Sequence, residues 1–128
     1  FTPFGAAAQA NARAAFADAA RIANLAFVEV AEGGDIRLSG FASSFSQAFY
    51  PTGTAIAGDV FIDARLLATA DQGFGSQSAH IITHEIGHAL GLRHPFDAAV
   101  PLGAALDLRQ RTVMSYATAQ LFTLTGLD

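Results

Sequence analysis

The chain has no cysteine and no lysine. Without cysteine there is neither a disulfide framework nor a thiolate metal site, so any metal must take nitrogen or oxygen ligands. All seven basic residues are arginine, scattered singly, and the formal net charge is −4. That excludes a basic stripe for nucleic acid and a polybasic patch for a membrane surface. Only 14% of residues are charged, yet no apolar run approaches the ~20 residues that a membrane-spanning helix needs. The opening FTPFGAAAQA shows neither an initiator methionine nor a charged-then-apolar leader, so the chain reads as an excised or processed piece. Apolar material is abundant: 52% of 128 residues is too much for a disordered chain and enough for one domain with a real core.

Patterning supplies the elements. Thr2-Pro3 offers an N-cap and a first-turn proline, and the alanine-rich stretch that follows predicts a helix over about 3–23. Its apolar stripe is Ala8, Ala12, Ala15, Phe16, Ala19 and Ile22. LAFVEV (25–30) and IRLSGF (36–41) predict strands joined by a turn at Glu32 to Asp35. QAFYP (47–51) predicts an extended segment that Pro51 confines to a sheet edge, and DVFIDA (59–64) a further apolar strand. Ser76 or Ser78 is placed to cap a helix reaching about Leu90. After Pro95 no period is visible. Together these predict a mixed α/β (α+β) layer fold, with a small twisted mixed sheet packed on two helices and an irregular C-terminal part.

All four histidines fall in HIITHEIGHALGLRHP, residues 80–95. His84 and His88 are four apart, so on a helix their rings stand on one face and can reach one ion. Glu85 is rotated about 100° from His84, near enough to touch a metal-bound water without being a ligand. Gly91 suits a left-handed helix end, after which the chain can bring His94 back to the same ion. Three neutral imidazoles leave one tetrahedral position of Zn²⁺ open, the arrangement of a catalytic site. Glu85 would then serve as general base in peptide hydrolysis. His80 lies one turn before His84 and lacks a glycine-turned third partner, so it is read as a non-ligand.

HEIGHALGLRHP resembles the zinc motif of the metzincin metallopeptidases, and Pro95 directly after the third histidine is similar to the serralysin branch of secreted bacterial proteases. Thr112-Val113-Met114-Ser115-Tyr116 resembles that family's Met-turn. The resemblance implies a methionine floor at Met114, zinc on His84, His88 and His94, and at Tyr116 an additional zinc ligand that swings to stabilise the oxyanion. It also implies that an edge strand, here Gln47, Ala48, Phe49 and Tyr50, takes a peptide or protein substrate as an added strand. Residues 96–113 would wall an apolar specificity pocket. Residues 1–91 and 92–128 would be the upper and lower subdomains of one catalytic domain, acting outside the cell.

Relatives of that kind carry a strand before the first helix and a long helix after the Met-turn. This chain starts at the helix, and TLTGLD (123–128) stops where the later helix would begin. The expectation is a domain shortened at both ends, completed by other domains or chains, and no calcium-binding nonapeptide repeat is present. Asp59, Asp63, Asp71 and Asp97 match no calcium loop and are read as surface or turn residues, so Ca²⁺ has no clear motif. Two competing readings are a zinc-binding but inactive module of a larger secreted protein, and a structural domain that retains the motif without metal.

Overall fold

The alanine-rich segment forms helix α1 (Ala6–Ala23) in the computed structural model of the chain, which describes residues 1–97 and 99–118. Ala8, Ala12 and Ala15 are buried along one stripe, where a methyl group lets another backbone come close. The start differs from the expectation. Gly5 holds the N-cap position without a side-chain bond, while Thr2 exchanges two backbone hydrogen bonds of 2.7 Å with Gly40. Thr2 is thus extended and paired to a strand, which is incompatible with opening a helix. The stripe also fades earlier than predicted: Phe16 is half-buried and Ile22 is 87% exposed. Asn24, left-handed at φ 52°, ends the helix.

Residues 25–30 correct a second expectation, because LAFVEV is exposed and forms no strand. Strand propensity measures fit to a paired, half-buried surface, and among the described residues no strand pairs with this segment. It is tied to α1 instead. The Arg13 guanidinium donates to both carboxylate oxygens of Glu29 at 2.7 Å, and the Phe27 ring lies 5.0 Å from that of Phe16.

Three short strands form a mixed sheet in the order β1-β3-β2. They are β1 (Leu38–Phe41), β2 (Gln47–Ala48) and β3 (Val60–Asp63). β1 runs parallel to β3 with Leu38 opposite Val60, and β2 runs antiparallel with Ala48 opposite Val60. Each strand is shorter than predicted. β3 is central, and its Val60 and Ile62 are fully buried, as the apolar run required. A single helical turn, α2 (Ala64–Leu67), follows it directly and was not foreseen. Its cap is the Asp63 carboxylate, which accepts the Arg65 N–H at 2.9 Å and also pairs with the Arg65 guanidinium. That pairing holds the Asp63 carboxyl below its usual range.

Helix α3 (Gln77–Ala89) begins where the sequence placed it. Ser76 is the N-cap, its Oγ accepting the Ala79 N–H at 3.2 Å. α3 packs against α1 and against β3 and β2. Ile82 and Ile86 join Val60, Ile62 and the α1 alanines in one core. Full burial of each isoleucine contributes ~2–3 kcal/mol, which anchors α3 and so the residues it carries.

These elements make up one compact unit, Phe1–Leu92; a second unit starts at Arg93. The described part of that second unit has neither helix nor strand and is held by turns. Bonds from the Leu102 N–H to the Pro95 carbonyl at 3.1 Å and from the Arg109 N–H to the Ala117 carbonyl at 2.7 Å define it. The segment 123–128, where a further helix was expected to begin, lies outside the described residues. Among the described residues, no helix is long and apolar enough to cross a membrane.

Candidate metal centre

α3 carries His84 and His88 one turn apart, and both are buried. Their ring centroids are 4.7 Å apart and nearly perpendicular, at 88°. His88 has a defined tautomer. Its Nδ1 lies 2.8 Å from the Leu92 carbonyl oxygen, and a carbonyl can only accept. Nδ1 therefore carries the proton, and Nε2 keeps the lone pair a metal would use. The Tyr50 ring, just past β2, meets His88 edge-on at 5.4 Å.

The end of α3 explains why the Leu92 carbonyl is there. The Gly91 N–H donates to the His88 carbonyl and the Leu92 N–H to the Gly87 carbonyl, each at 2.9 Å. That pair of bonds is the Schellman ending, with Gly91 in the positive-φ position at 96°. A Cβ on Gly91 would find its nearest heavy atom, Pro51 Cγ, at 3.7 Å. Glycine is needed for its backbone angle and not for room.

Glu85, only 6% exposed, lies next to His84 on the same helix. Burial pushes its carboxyl from 4.5 up to about 7, because a negative charge there loses its water. His80, half-buried, has its ring 6.4 Å from that of His84.

In the second unit, the His94 Nδ1 lies 2.7 Å from an Asp97 carboxylate oxygen. Phe96 stacks on the His94 ring at 4.8 Å and 12°, and the Tyr116 ring lies 4.6 Å from it. Met114 and Ser115 are buried. The Met114 N–H donates to Thr112 Oγ1 at 3.2 Å, which shapes the turn before Tyr116. The Tyr116 side chain is exposed.

His84, His88 and His94 each offer a ring nitrogen, and these atoms lie within 4.8 Å of one another. The donor set suits a borderline cation such as Zn²⁺: three imidazoles, no thiolate, and one ring already fixed with its proton on Nδ1. His80 is outside that group. The four aspartates once weighed for calcium are engaged separately. Asp59 pairs with Arg37 at 2.6 Å, Asp63 with Arg65, Asp97 with His94, and Asp71 accepts the Gly73 N–H.

Gln47 and Ala48 are β2 itself, an edge of the sheet. Phe49 continues its pairing irregularly, donating to the Asp59 carbonyl and accepting from the Gly58 N–H. Sequence reasoning overlooked the Leu92 carbonyl and the Asp97 carboxylate as partners of histidines. Only the second left a trace, an acidic residue three positions after a histidine with proline between.

A model of the matrixin family matches residues 5–112. That span contains His84, Glu85, His88, Gly91 and His94 and ends short of Met114. Metallopeptidase AprA of Pseudomonas marginalis is 32% identical in an alignment covering 100% of this chain and 31% of that relative. The chain therefore spans about a third of that relative's length.

Proposed function

This chain belongs to the matrixin family, among the metzincin metallopeptidases, and on that premise we propose that it is the catalytic domain of a zinc-dependent, serralysin-like endopeptidase. One observation carries the reading: three imidazole nitrogens within 4.8 Å of one another, with the buried Glu85 carboxyl on the helix that bears two of them. His84, His88 and His94 would hold the ion as neutral imidazoles. When bound, zinc supplies Lewis acidity, polarising a peptide carbonyl and making water acidic near pH ~7.

The protein's own residues do the rest. Glu85 takes the proton of the attacking water onto its carboxylate and returns it to the departing amide nitrogen. Burial raises this carboxyl in the metal-free chain, and a nearby cation would draw it back toward the carboxylate that accepts the water's proton. Tyr116 donates its phenolic O–H to the carbonyl oxygen as negative charge builds there. Gly91 makes the turn that leads to His94, and Met114 belongs to the floor of the site. The outer edge of β2, with Gln47, Ala48, Phe49 and Tyr50, receives the substrate as an added strand through main-chain hydrogen bonds.

Pro95 directly after His94 and the likeness to AprA support the serralysin-like branch. Residues 1–91 and 92–128 are read as the upper and lower subdomains of one catalytic domain. Protein or peptide substrates and a secreted location belong to the same proposal. The test is hydrolysis of a denatured protein substrate by the zinc-loaded chain. Wild type should be active and chelator-sensitive, and Glu85→Gln should keep its zinc while losing ~10²–10⁴-fold in rate. Equal, negligible hydrolysis by both would leave a zinc-binding, inactive module. Activity that survives the chelator would remove zinc from the mechanism.

A further inference from the structure

The second unit contains a device for orienting one histidine. His94-Pro95-Phe96-Asp97 is a β-turn, closed by the Asp97 N–H donating to the His94 carbonyl at 3.1 Å. Proline at its second position presets φ, and here that proline is buried. The turn folds the Asp97 side chain back over the residue that began it. An Asp97 carboxylate oxygen then lies 2.7 Å from His94 Nδ1, and a carboxylate can only accept.

Phe96 and Asp97 both constrain the His94 ring, and they do different things. Phe96 stacks flat on the imidazole at 12° and fixes the plane of the ring. Stacking is indifferent to a half-turn about the Cβ–Cγ bond, because the two flipped rings have almost the same shape. Nor does it select between the two neutral tautomers. The Asp97 carboxylate does both: it holds the proton on Nδ1 and leaves Nε2 as the lone-pair nitrogen. For His88 the same task falls to a main-chain carbonyl, that of Leu92. For His94 it falls to a side chain, which substitution can remove.

We infer that Asp97 is a positioning residue for His94, setting its tautomer and ring orientation for metal binding without itself touching metal or substrate. The inference rests on the zinc reading above. Partners of this kind typically contribute about 10–100-fold in metal affinity. The carboxylate is half exposed, so its contribution to folding is small, and affinity and stability can be separated.

The experiment is a zinc titration of the purified chain against a chromophoric chelator, for wild type, Asp97→Ala and Asp97→Asn. The alanine variant should bind zinc ~10–100-fold more weakly. Asparagine, whose side-chain oxygen can still accept from Nδ1, should recover part of the loss. Urea midpoints of the metal-free proteins should stay together, as a merely structural role would not predict. Equal zinc affinity in wild type and Asp97→Ala would overturn the inference. A wild type that binds no zinc would overturn the zinc reading instead. Independently of zinc, long-range ¹H–¹⁵N correlation of the metal-free wild type should show His94 protonated on Nδ1. The Nε2–H tautomer there would also overturn the assignment, even if a variant failed to fold.

Discussion

In the metal-free protein, Glu85→Gln should stabilise the fold above neutral pH and alter it little in mild acid. Burial raises the Glu85 carboxyl from 4.5 to about 7. Between those values the folded protein holds a proton that the unfolded chain has released. Raising the pH therefore favours unfolding, the reverse of the usual carboxylate case. Each pKa unit corresponds to ~1.4 kcal/mol. The wild-type penalty is then ~1 kcal/mol near pH 5 and levels off at ~3 kcal/mol near pH 8. Glutamine has nearly the same volume and no charge to desolvate. Urea unfolding of both metal-free proteins at these two pH values should show a stability gap that widens by ~2 kcal/mol in the variant's favour. A gap that stays constant would refute the burial argument, and one that narrows with pH would reverse its sign. With zinc restored, a nearby cation favours the carboxylate, so the widening should shrink.

Two further substitutions probe the turn and the phenol. Gly91→Ala meets no clash but forces a side chain into a backbone angle of φ 96°; it should cost ~1–2 kcal/mol in chemical denaturation and weaken zinc binding, because the Leu92 carbonyl and the path to His94 both shift. Unchanged stability would show that the helix end relaxes. Tyr116→Phe should lower kcat by ~10²-fold or more with little change in KM or zinc content; an unchanged kcat would remove the phenol from the mechanism.

The parts of this molecule that the sequence announced were those settled by local chemistry. Ser76 caps α3, Gly91 ends it, and the apolar run through Val60 and Ile62 lies at the sheet's centre, each for a reason contained in a few neighbouring residues. What escaped was settled by partners distant in the chain. LAFVEV has every intrinsic qualification for a strand, but pairing is a property of two segments and none comes to it among the described residues. Thr2 has the side chain of a helix cap, yet Gly40, far along the chain, claims its backbone. The absence of a Cβ on Gly40 makes that approach possible, since one would collide with a Leu67 methyl and crowd Thr2. At the candidate site, histidine spacing identified the imidazoles, whereas their orienting acceptors depend on how turns close. The Leu92 carbonyl is invisible in any sequence, and Asp97 looked like an ordinary loop aspartate until its turn placed it on His94.

The proposed activity requires one zinc ion on His84, His88 and His94 with a position left open for chemistry. X-ray absorption at the zinc edge, on the stoichiometrically loaded protein, tests it most directly. Three imidazole nitrogens at ~2.0–2.1 Å are expected, with oxygen completing the shell. The spectrum should be unchanged in His80→Ala and should lose one imidazole in His94→Ala. A fourth imidazole that disappears in His80→Ala, or a protein that retains no zinc at all, would contradict this ligand set.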